Sequence, residues 1–229
     1  MNIQGLQKLT LLDFPGKTAC TVFLGGCDFR CPFCHNSELI DGTAPTELTD
    51  ADLLAFLEKR RGLLDGVAFT GGEPTLRTDL LDLLAKIRVM GFATKLDTNG
   101  NHPDALKAIL DAGLVDYVAM DIKNSPEKYA ATVGVPYFDP ANITRSMQLL
   151  KSSGIDCELR TTVVAEFHDE DSFRSIGPWI KGARRYFLQC FTDRDTVLQS
   201  GLHAPAKEDL ARYADLIRPY VSEVSLRGI

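Results

Sequence analysis

The sequence has no long apolar run and no excess of positive charge. No stretch approaches the roughly 20 apolar residues of a membrane-spanning helix. The opening MNIQGLQKLTLLDFPGK has no basic segment followed by the apolar core of a signal peptide. Lysine and arginine number 25 against 31 acidic residues, a net charge of −6 that lacks the footprint of nucleic-acid binding. We therefore expect a cytoplasmic protein with no membrane and no nucleic-acid partner.

Cysteine is also scarce. Six cysteines in 229 residues are too few for a scaffold held by disulfides. Three of them nevertheless fall in the short stretch FLGGCDFRCPFC, at Cys27, Cys31 and Cys34. In a reducing compartment such a cluster predicts a metal site or a catalytic centre. The others stand alone in apolar segments and are interpreted as small buried hydrophobic residues: Cys20, Cys157 and Cys190.

Short β-branched segments alternate about six times with longer segments of helical periodicity. The segment TELTDADLLAFLEKR predicts a helix with Thr49 as its N-cap, and DEDSFRSIGPWIKG predicts a helix that breaks at Gly177-Pro178. The alternation predicts parallel βα units in a single domain over residues 1–229. The pattern alone leaves an open doubly wound sheet and a barrel as alternatives.

Polar or glycine-rich motifs follow the predicted strands. They are GGC after the first strand, TGGEP after the second, DTNG after the third and MDIK after the fourth. Both parallel architectures place their active sites at the carboxyl ends of the strands. We therefore expect these motifs at one edge of the sheet.

Three cysteines spaced C-x3-C-x2-C are an unusual ligand set. Structural zinc takes four protein ligands, a ferredoxin cluster takes four cysteines, and a cysteine nucleophile needs only one. The spacing is best explained by a [4Fe–4S] cluster with one iron that lacks a protein ligand and binds substrate. His35 follows the last cysteine, and we interpret it as ordering the loop rather than as a ligand.

The cysteine motif, with Phe33 before its last cysteine and GGEP at Gly71 to Pro74, resembles the radical S-adenosylmethionine superfamily. The resemblance implies an incomplete (β/α)6 TIM-like barrel and one [4Fe–4S] cluster on the three cysteines. It also implies that the reduced cluster cleaves S-adenosylmethionine to methionine and a 5′-deoxyadenosyl radical. The cofactor-binding residues that it implies in these two motifs are Phe33, Gly71, Gly72, Glu73 and Pro74.

Further motifs resemble the activating enzymes of glycyl radical enzymes. These are CPFCHN, DTNG and DIK, while the opening LQKLTLLDFPGK and the ending LRG are similar to the anaerobic ribonucleoside-triphosphate reductase activating protein family. The resemblance implies an activase that removes a hydrogen from a glycine Cα of a partner enzyme. The implied partner is anaerobic ribonucleoside-triphosphate reductase, and the implied electron donor is flavodoxin or ferredoxin.

The same resemblance assigns the remaining site residues. Asp97, Thr98 and Asp121 match positions that hold a monovalent cation beside the cofactor's carboxylate in pyruvate formate-lyase activating enzymes. Relatives carry a cofactor-contacting histidine on the sixth strand, where this chain has Gln189. The other implied cofactor contacts are Asn99, Lys123 and Arg160.

Three alternatives stay open. The chain resembles, less closely, radical enzymes that act on small molecules, such as 7-carboxy-7-deazaguanine synthase. It is also compatible with the activase of another glycyl radical enzyme, such as pyruvate formate-lyase, or with a non-enzymatic zinc or iron–sulfur module.

The chain lacks an eight-cysteine ferredoxin-like insertion after the first motif, so we expect one cluster only.

Overall fold

The computed structural model describes residues 3–229, in which eight strands and seven helices are seen. The strands are β1 (Ile3–Thr10), β2 (Ala19–Leu24), β3 (Gly66–Gly71), β4 (Ala93–Thr98), β5 (Tyr117–Asp121), β6 (Asp156–Val163), β7 (Arg185–Cys190) and β8 (Glu223–Arg227). The helices are α1 (Asp50–Glu58), α2 (Leu80–Val89), α3 (Pro103–Asp111), α4 (Tyr129–Val133), α5 (Ala141–Ser153), α6 (Glu170–Ile180) and α7 (Lys207–Ile217). Along the eight-stranded sheet the strands follow chain order, β1 to β8. Strands β2 to β7 thus alternate with helices, as the sequence predicts.

The chain divides into two compact units. Among the described residues, the first comprises 3–28, 38–98 and 104–118, and the second 29–37, 99–103 and 119–229. A single domain over residues 1–229 stays a prediction.

In the first unit, β2, β3 and β4 are parallel, with Cys20 opposite Val67 and Phe69 opposite Leu96. Helix α2 buries Leu80, Leu83, Leu84 and Ile87, which recur at helical spacing along one face. Strand β1, which the sequence pattern did not predict, pairs antiparallel with β2. Its residues do not alternate cleanly between buried and exposed, and two register irregularities interrupt the pairing.

In the second unit, β6, β7 and β8 are parallel, with Thr162 opposite Gln189 and Gln189 opposite Arg227. Helices α6 and α7 pack through Phe173 and Tyr213, whose ring centroids lie 4.4 Å apart. The side chains of Thr161 and Tyr186 share a buried hydrogen bond between β6 and β7.

Helix α1 begins as the sequence predicts. The Thr49 side chain accepts a hydrogen bond from the Asp52 N–H, and the Asp52 carboxylate accepts from the Thr49 N–H at 2.9 Å. This reciprocal capping box satisfies two backbone donors that the first turn of a helix leaves without intrahelical acceptors. The predicted N-cap is confirmed.

The predicted break at Gly177-Pro178 is wrong. Helix α6 continues through Pro178 to Ile180. Phe173, Ile176 and Ile180 are fully buried, so tertiary packing holds the last turn although proline removes one backbone donor. Gly177 also has a packing reason, since a Cβ there would lie 2.5 Å from the Tyr220 ring.

Among residues 3–229, no helix combines the length and the apolar character needed to cross a membrane.

We predict that Ile87→Ala lowers the free energy of unfolding by about 2–5 kcal/mol, because it opens a cavity in the first unit's core. Ile87 is fully buried, whereas Val89 in the same helix is 88% exposed. Val89→Ala is therefore the matched control and should change stability by less than about 0.5 kcal/mol. Urea unfolding followed by circular dichroism measures both, and equal losses would contradict the assignment of the buried face.

Candidate active site

The loop after β2 carries the three motif cysteines, and its beginning is fastened within the first unit. The Gly26 N–H donates to the Leu39 carbonyl and the Cys27 N–H to the Ile40 carbonyl, both at 2.8 Å. These two bonds fix the backbone of Cys27. None of the six cysteines, all of which lie within residues 3–229, forms a disulfide.

Later residues of the same loop belong to the second unit. The Arg30 N–H donates to the Val133 carbonyl at 2.8 Å, and Cys34 N–H donates to the Cys31 carbonyl at 3.0 Å, closing a turn between the two cysteines. Phe33 lies between them in the chain and is buried, with its ring 5.7 Å from that of Phe167.

Burial raises the pKa of the Cys31 thiol to about 11, and the neighbouring Lys123 ammonium opposes this shift. Burial likewise raises the pKa of Cys34. A positive charge near a thiol favours the thiolate, which is the form that binds metal. Lys123 therefore gives this pair of cysteines one electrostatic feature of a ligand site.

The loops after β2 and β3 touch through glycines. A Cβ on Gly72 would lie 2.1 Å from the Gly26 carbonyl oxygen, and one on Gly71 would lie 2.4 Å from the Leu24 carbonyl oxygen. Gly71 also has φ +115°, a region that side chains rarely adopt. The sequence interpretation assigned these glycines to cofactor binding. The structure gives them a second reason, because the two loops pack backbone against backbone.

Glu73 is fully buried at the end of β3. Its Oε1 atom accepts hydrogen bonds from the Thr75 N–H at 3.0 Å and from the Thr98 hydroxyl at 2.8 Å. Pro74 begins the short 3-10 turn that aims the Thr75 N–H back at the carboxylate. The structure thus brings together Glu73, Pro74 and Thr98, which the sequence assigned to the same site from two separate motifs.

Asp97 on β4 forms an ion pair with Lys95, whose side chain is 3% exposed. The sequence interpretation missed Lys95. The signal was available, since residues two apart on a strand point to the same face. The Lys95 ammonium is thus already beside Asp97, one of the carboxylates that the sequence analysis assigned to a monovalent metal cation.

In the second unit, Asp121 at the end of β5 lies between two cations. Lys123 Nζ is 2.7 Å from one carboxylate oxygen and Arg160 Nε is 2.6 Å from the other. Burial opposes ionisation of Asp121, but Arg160 and Lys123 hold its pKa well below the usual range. Burial also disfavours the charged lysine, yet Asp121 raises the pKa of Lys123. The three side chains predicted from the DIK and ELR segments therefore form one ionised cluster.

Asn99 and Gln189 also lie in the second unit. The Asn99 side-chain oxygen accepts from the Asn101 N–H at 2.9 Å and so orders the turn after β4. Gln189 is half-buried on β7, in register with Arg227 of β8.

His168 is a residue that sequence reasoning set aside. It is buried, accepts from the Val164 N–H at 3.1 Å through Nδ1 and donates to the Lys123 carbonyl at 2.8 Å through Nε2. Burial lowers the pKa of His168, consistent with a neutral ring that donates on one side and accepts on the other. It ties the segment after β6 to the backbone of Lys123, 45 residues away.

Within residues 3–229, no three His, Cys, Asp or Glu side chains are already arranged as a metal site. The donor chemistry nevertheless fits an iron–sulfur cluster, because thiolates are the ligands that such clusters take. Two of the three thiols come from one turn, and Lys123 lies near it. The ligand set stays a prediction.

Comparison with known proteins identifies the class of enzyme. The family described as the Radical SAM superfamily matches residues 21–174, more than half of the chain. The chain belongs to the radical SAM superfamily and is an enzyme of that class. Membership implies a [4Fe–4S] cluster and S-adenosylmethionine as cofactors.

Three individual relatives differ in how much of this chain they match. A protein of Methanocaldococcus jannaschii, named as a glycyl-radical enzyme activating enzyme, is 29% identical over 99% of this chain and 96% of its own length. The pyruvate formate-lyase-activating enzyme of Clostridium pasteurianum is 29% identical over 80% of this chain and 77% of its own. The 7-carboxy-7-deazaguanine synthase of Thermococcus kodakarensis is 28% identical over 49% of this chain and 52% of its own.

Solved structures share the fold. Streptococcus suis SuiB, crystallised with the precursor peptide SuiA, superposes with a TM-score of 0.70 at 15% identity, over 91% of this chain and 48% of SuiB. The family match and this likeness confirm the predicted fold class, an incomplete α/β barrel of the radical SAM type.

We predict that Gly72→Ala lowers the free energy of unfolding by about 1–3 kcal/mol, because its methyl group overlaps the Gly26 carbonyl. Gly5→Ala is the matched control, since a Cβ at Gly5 would meet its nearest atom at 3.4 Å, an ordinary contact. Urea unfolding of both variants without cofactors measures the difference. Equal stability of the two would show that the loops separate without cost.

Proposed function

We propose that this enzyme is an activase that installs a glycyl radical on a partner enzyme, and that the partner is anaerobic ribonucleoside-triphosphate reductase. The observation that carries the proposal is the likeness to a named glycyl-radical enzyme activating enzyme over nearly the whole of both chains. The opening LQKLTLLDFPGK and the closing LRG support the reductase as partner. Flavodoxin or ferredoxin is the proposed electron donor, and the cytoplasm the proposed location.

Cys27, Cys31 and Cys34 are the proposed ligands of a single [4Fe–4S] cluster. When bound, the cluster and S-adenosylmethionine supply the radical that removes hydrogen from the partner's glycine. Cys27 is held by its backbone bond to Ile40, and Cys31 and Cys34 by the turn that joins them. The chain thus fixes the backbone on both sides of the motif.

Glu73 is the proposed acceptor for the ammonium group of S-adenosylmethionine. Its Oε1 is already held by the Thr75 N–H and by the hydroxyls of Thr75 and Thr98, so the carboxylate cannot rotate without losing three hydrogen bonds. A carboxylate that is oriented before the ligand arrives loses little conformational entropy on binding. Phe33 is proposed to pack near the adenine, with Gly71, Gly72, Pro74, Asp97, Thr98 and Asn99 around the cofactor.

The Asp121, Lys123 and Arg160 cluster is proposed to meet the anionic part of the cofactor. Lys123 and Arg160 both pair with the Asp121 carboxylate, so two fixed cations stand where the cofactor's carboxylate is proposed to bind. Lys123 is proposed to reach that carboxylate or the ribose, and Arg160 the cofactor or the substrate loop. A monovalent cation at Asp97, Thr98 and Asp121 is also proposed, although Lys95 already neutralises Asp97.

A small-molecule radical enzyme is the second candidate. It is favoured by the likeness to 7-carboxy-7-deazaguanine synthase, which extends over only half of the chain. The greater coverage by activating enzymes makes the protein substrate the first choice.

We expect the anaerobically reconstituted enzyme, given dithionite and S-adenosylmethionine, to form 5′-deoxyadenosine and a doublet glycyl signal on its partner. Cys31→Ala should abolish both products because a cluster thiolate is lost, and the half-buried Cys157→Ala is the matched control that should retain them. 5′-Deoxyadenosine and the electron paramagnetic resonance spectrum are measured with the reductase, with pyruvate formate-lyase and alone.

A glycyl radical signal on pyruvate formate-lyase only would identify that enzyme, and not the reductase, as the partner. Cofactor cleavage with no radical on either protein would favour the small-molecule candidate. Cleavage retained by Cys31→Ala would remove the cluster assignment.

We expect Glu73→Gln to weaken S-adenosylmethionine binding about tenfold to a hundredfold, since a hydrogen bond to a charged group contributes more than a neutral one. Iron content should stay unchanged, because Glu73 is not proposed as a ligand. Glu166→Gln, a carboxylate paired with the exposed His203, is the control. Isothermal titration under anaerobic conditions gives the affinities, and equal affinity for Glu73→Gln and wild type would exclude this role.

A further inference from the structure

The loop that follows β7 is attached to the segment that carries the last two motif cysteines. The His35 Nε2–H donates to the Thr192 carbonyl at 2.6 Å, and the Ser37 hydroxyl donates to the Thr196 carbonyl at 2.6 Å. The Gln199 N–H donates to the Pro32 carbonyl at 2.9 Å. We call residues 191–199 the strap.

A ring contact adds to these bonds. The imidazole of His35 stacks on Phe191 with centroids 5.5 Å apart and planes inclined by 22°. Phe191 is buried, so it gives the strap a fixed base at the end of β7. His35 therefore holds the strap in two ways, by stacking on its first residue and by donating to its second.

The attachment points bracket Cys34. Pro32 lies two residues before it, and His35 and Ser37 lie one and three residues after it. Cys34 itself is half-buried, and its backbone N–H closes the turn with Cys31. Movement of the Cys34 backbone therefore requires the loss of bonds to the strap on both sides.

The strap contributes little to the core. Apart from Phe191, it consists of exposed or half-buried residues, four of them charged or amidic: Asp193, Arg194, Asp195 and Gln199. A loop that buries so little apolar surface adds little to global stability. Its contacts with the cysteine segment therefore have a local effect that an experiment separates from unfolding.

We propose that His35 is a positioning residue that acts through the strap to fix the position of Cys34. The inference rests on the proposed function, in which Cys34 is a cluster ligand. His35 and Ser37 hold the strap in place, and the strap restricts the backbone on which the thiolate is presented. Neither residue touches the reacting atoms.

The first test uses the full chain without a cluster. Each cysteine is alkylated with iodoacetamide, and its rate is read by peptide mass spectrometry. In the His35→Ala, Ser37→Ala double variant, we expect Cys34 to react about threefold to tenfold faster, the range given by one or two modest hydrogen bonds. The rate at Cys157 and the urea midpoint should stay unchanged.

Conservative variants separate the contributions. In a chain that keeps His35, Ser37→Thr retains the hydroxyl, so Cys34 should be alkylated as slowly as in the wild type. His35→Phe keeps a stacking ring without the donor and should give an intermediate rate. The control is Ser175→Ala in α6, which removes a hydroxyl that donates to the Glu127 carboxylate at 2.9 Å. An unchanged Cys34 rate, or an equal rise at every cysteine, would overturn the proposal.

The second test uses the reconstituted protein. Loss of the cluster's visible absorbance in the presence of a chelator should be faster in the double variant by a similar factor, with Ser37→Thr close to wild type. If the cluster of the double variant decays at the wild-type rate, the strap does not stabilise the bound cluster. If no cluster forms in the wild type, the proposed function fails, while the alkylation rates still report on the strap.

Discussion

A backbone hydrogen bond, from the Glu73 N–H to the Gly26 carbonyl at 2.7 Å, joins the two loops that carry the superfamily's motifs in the first unit. Strands β2 and β3 stay in register up to Leu24 and Gly71, so their loops leave the sheet at the same level. Gly26 supplies a φ of +92°, and Gly72 supplies the space for its partner's oxygen. This bond sets the distance between Cys27 and Glu73, because Glu73 donates it and Cys27 directly follows Gly26, which accepts it.

Three interior carboxylates of the two units have a cation of the chain beside them, while the fully buried Glu73 accepts hydrogen bonds from Thr75 and Thr98. Asp97 has Lys95, Asp121 has Lys123 and Arg160, and Glu158 has Arg227, whose guanidinium also stacks on the Phe187 ring. Burying an ion without a partner costs several kcal/mol, so pairing is a condition for placing carboxylates there at all. The pairs hold these side chains in fixed orientations.

Local patterns in the sequence predicted the βα alternation, the capping of α1 and the motifs at the strand ends, because each depends on residues close in the chain. Strand β1 was missed because its burial does not alternate, and the break in α6 was wrongly predicted because packing against Tyr220 and the core outweighs the local effect of proline. The contacts of His168 with Lys123 and of His35 with Thr192 join residues 45 and 157 positions apart. No local pattern specifies which distant carbonyl a histidine will meet, so these contacts needed the structure.

The strap joins early and late parts of the chain, and this has a consequence for the order of events during synthesis. At about 5–20 residues per second, the 157 residues that separate His35 from Thr192 take on the order of ten seconds to translate. Throughout that interval the residues that fasten the cysteine segment do not yet exist. A cluster delivered to the nascent chain would meet thiols on a backbone that is still free to move. The architecture thus favours iron–sulfur delivery to the completed chain, with β7 in place.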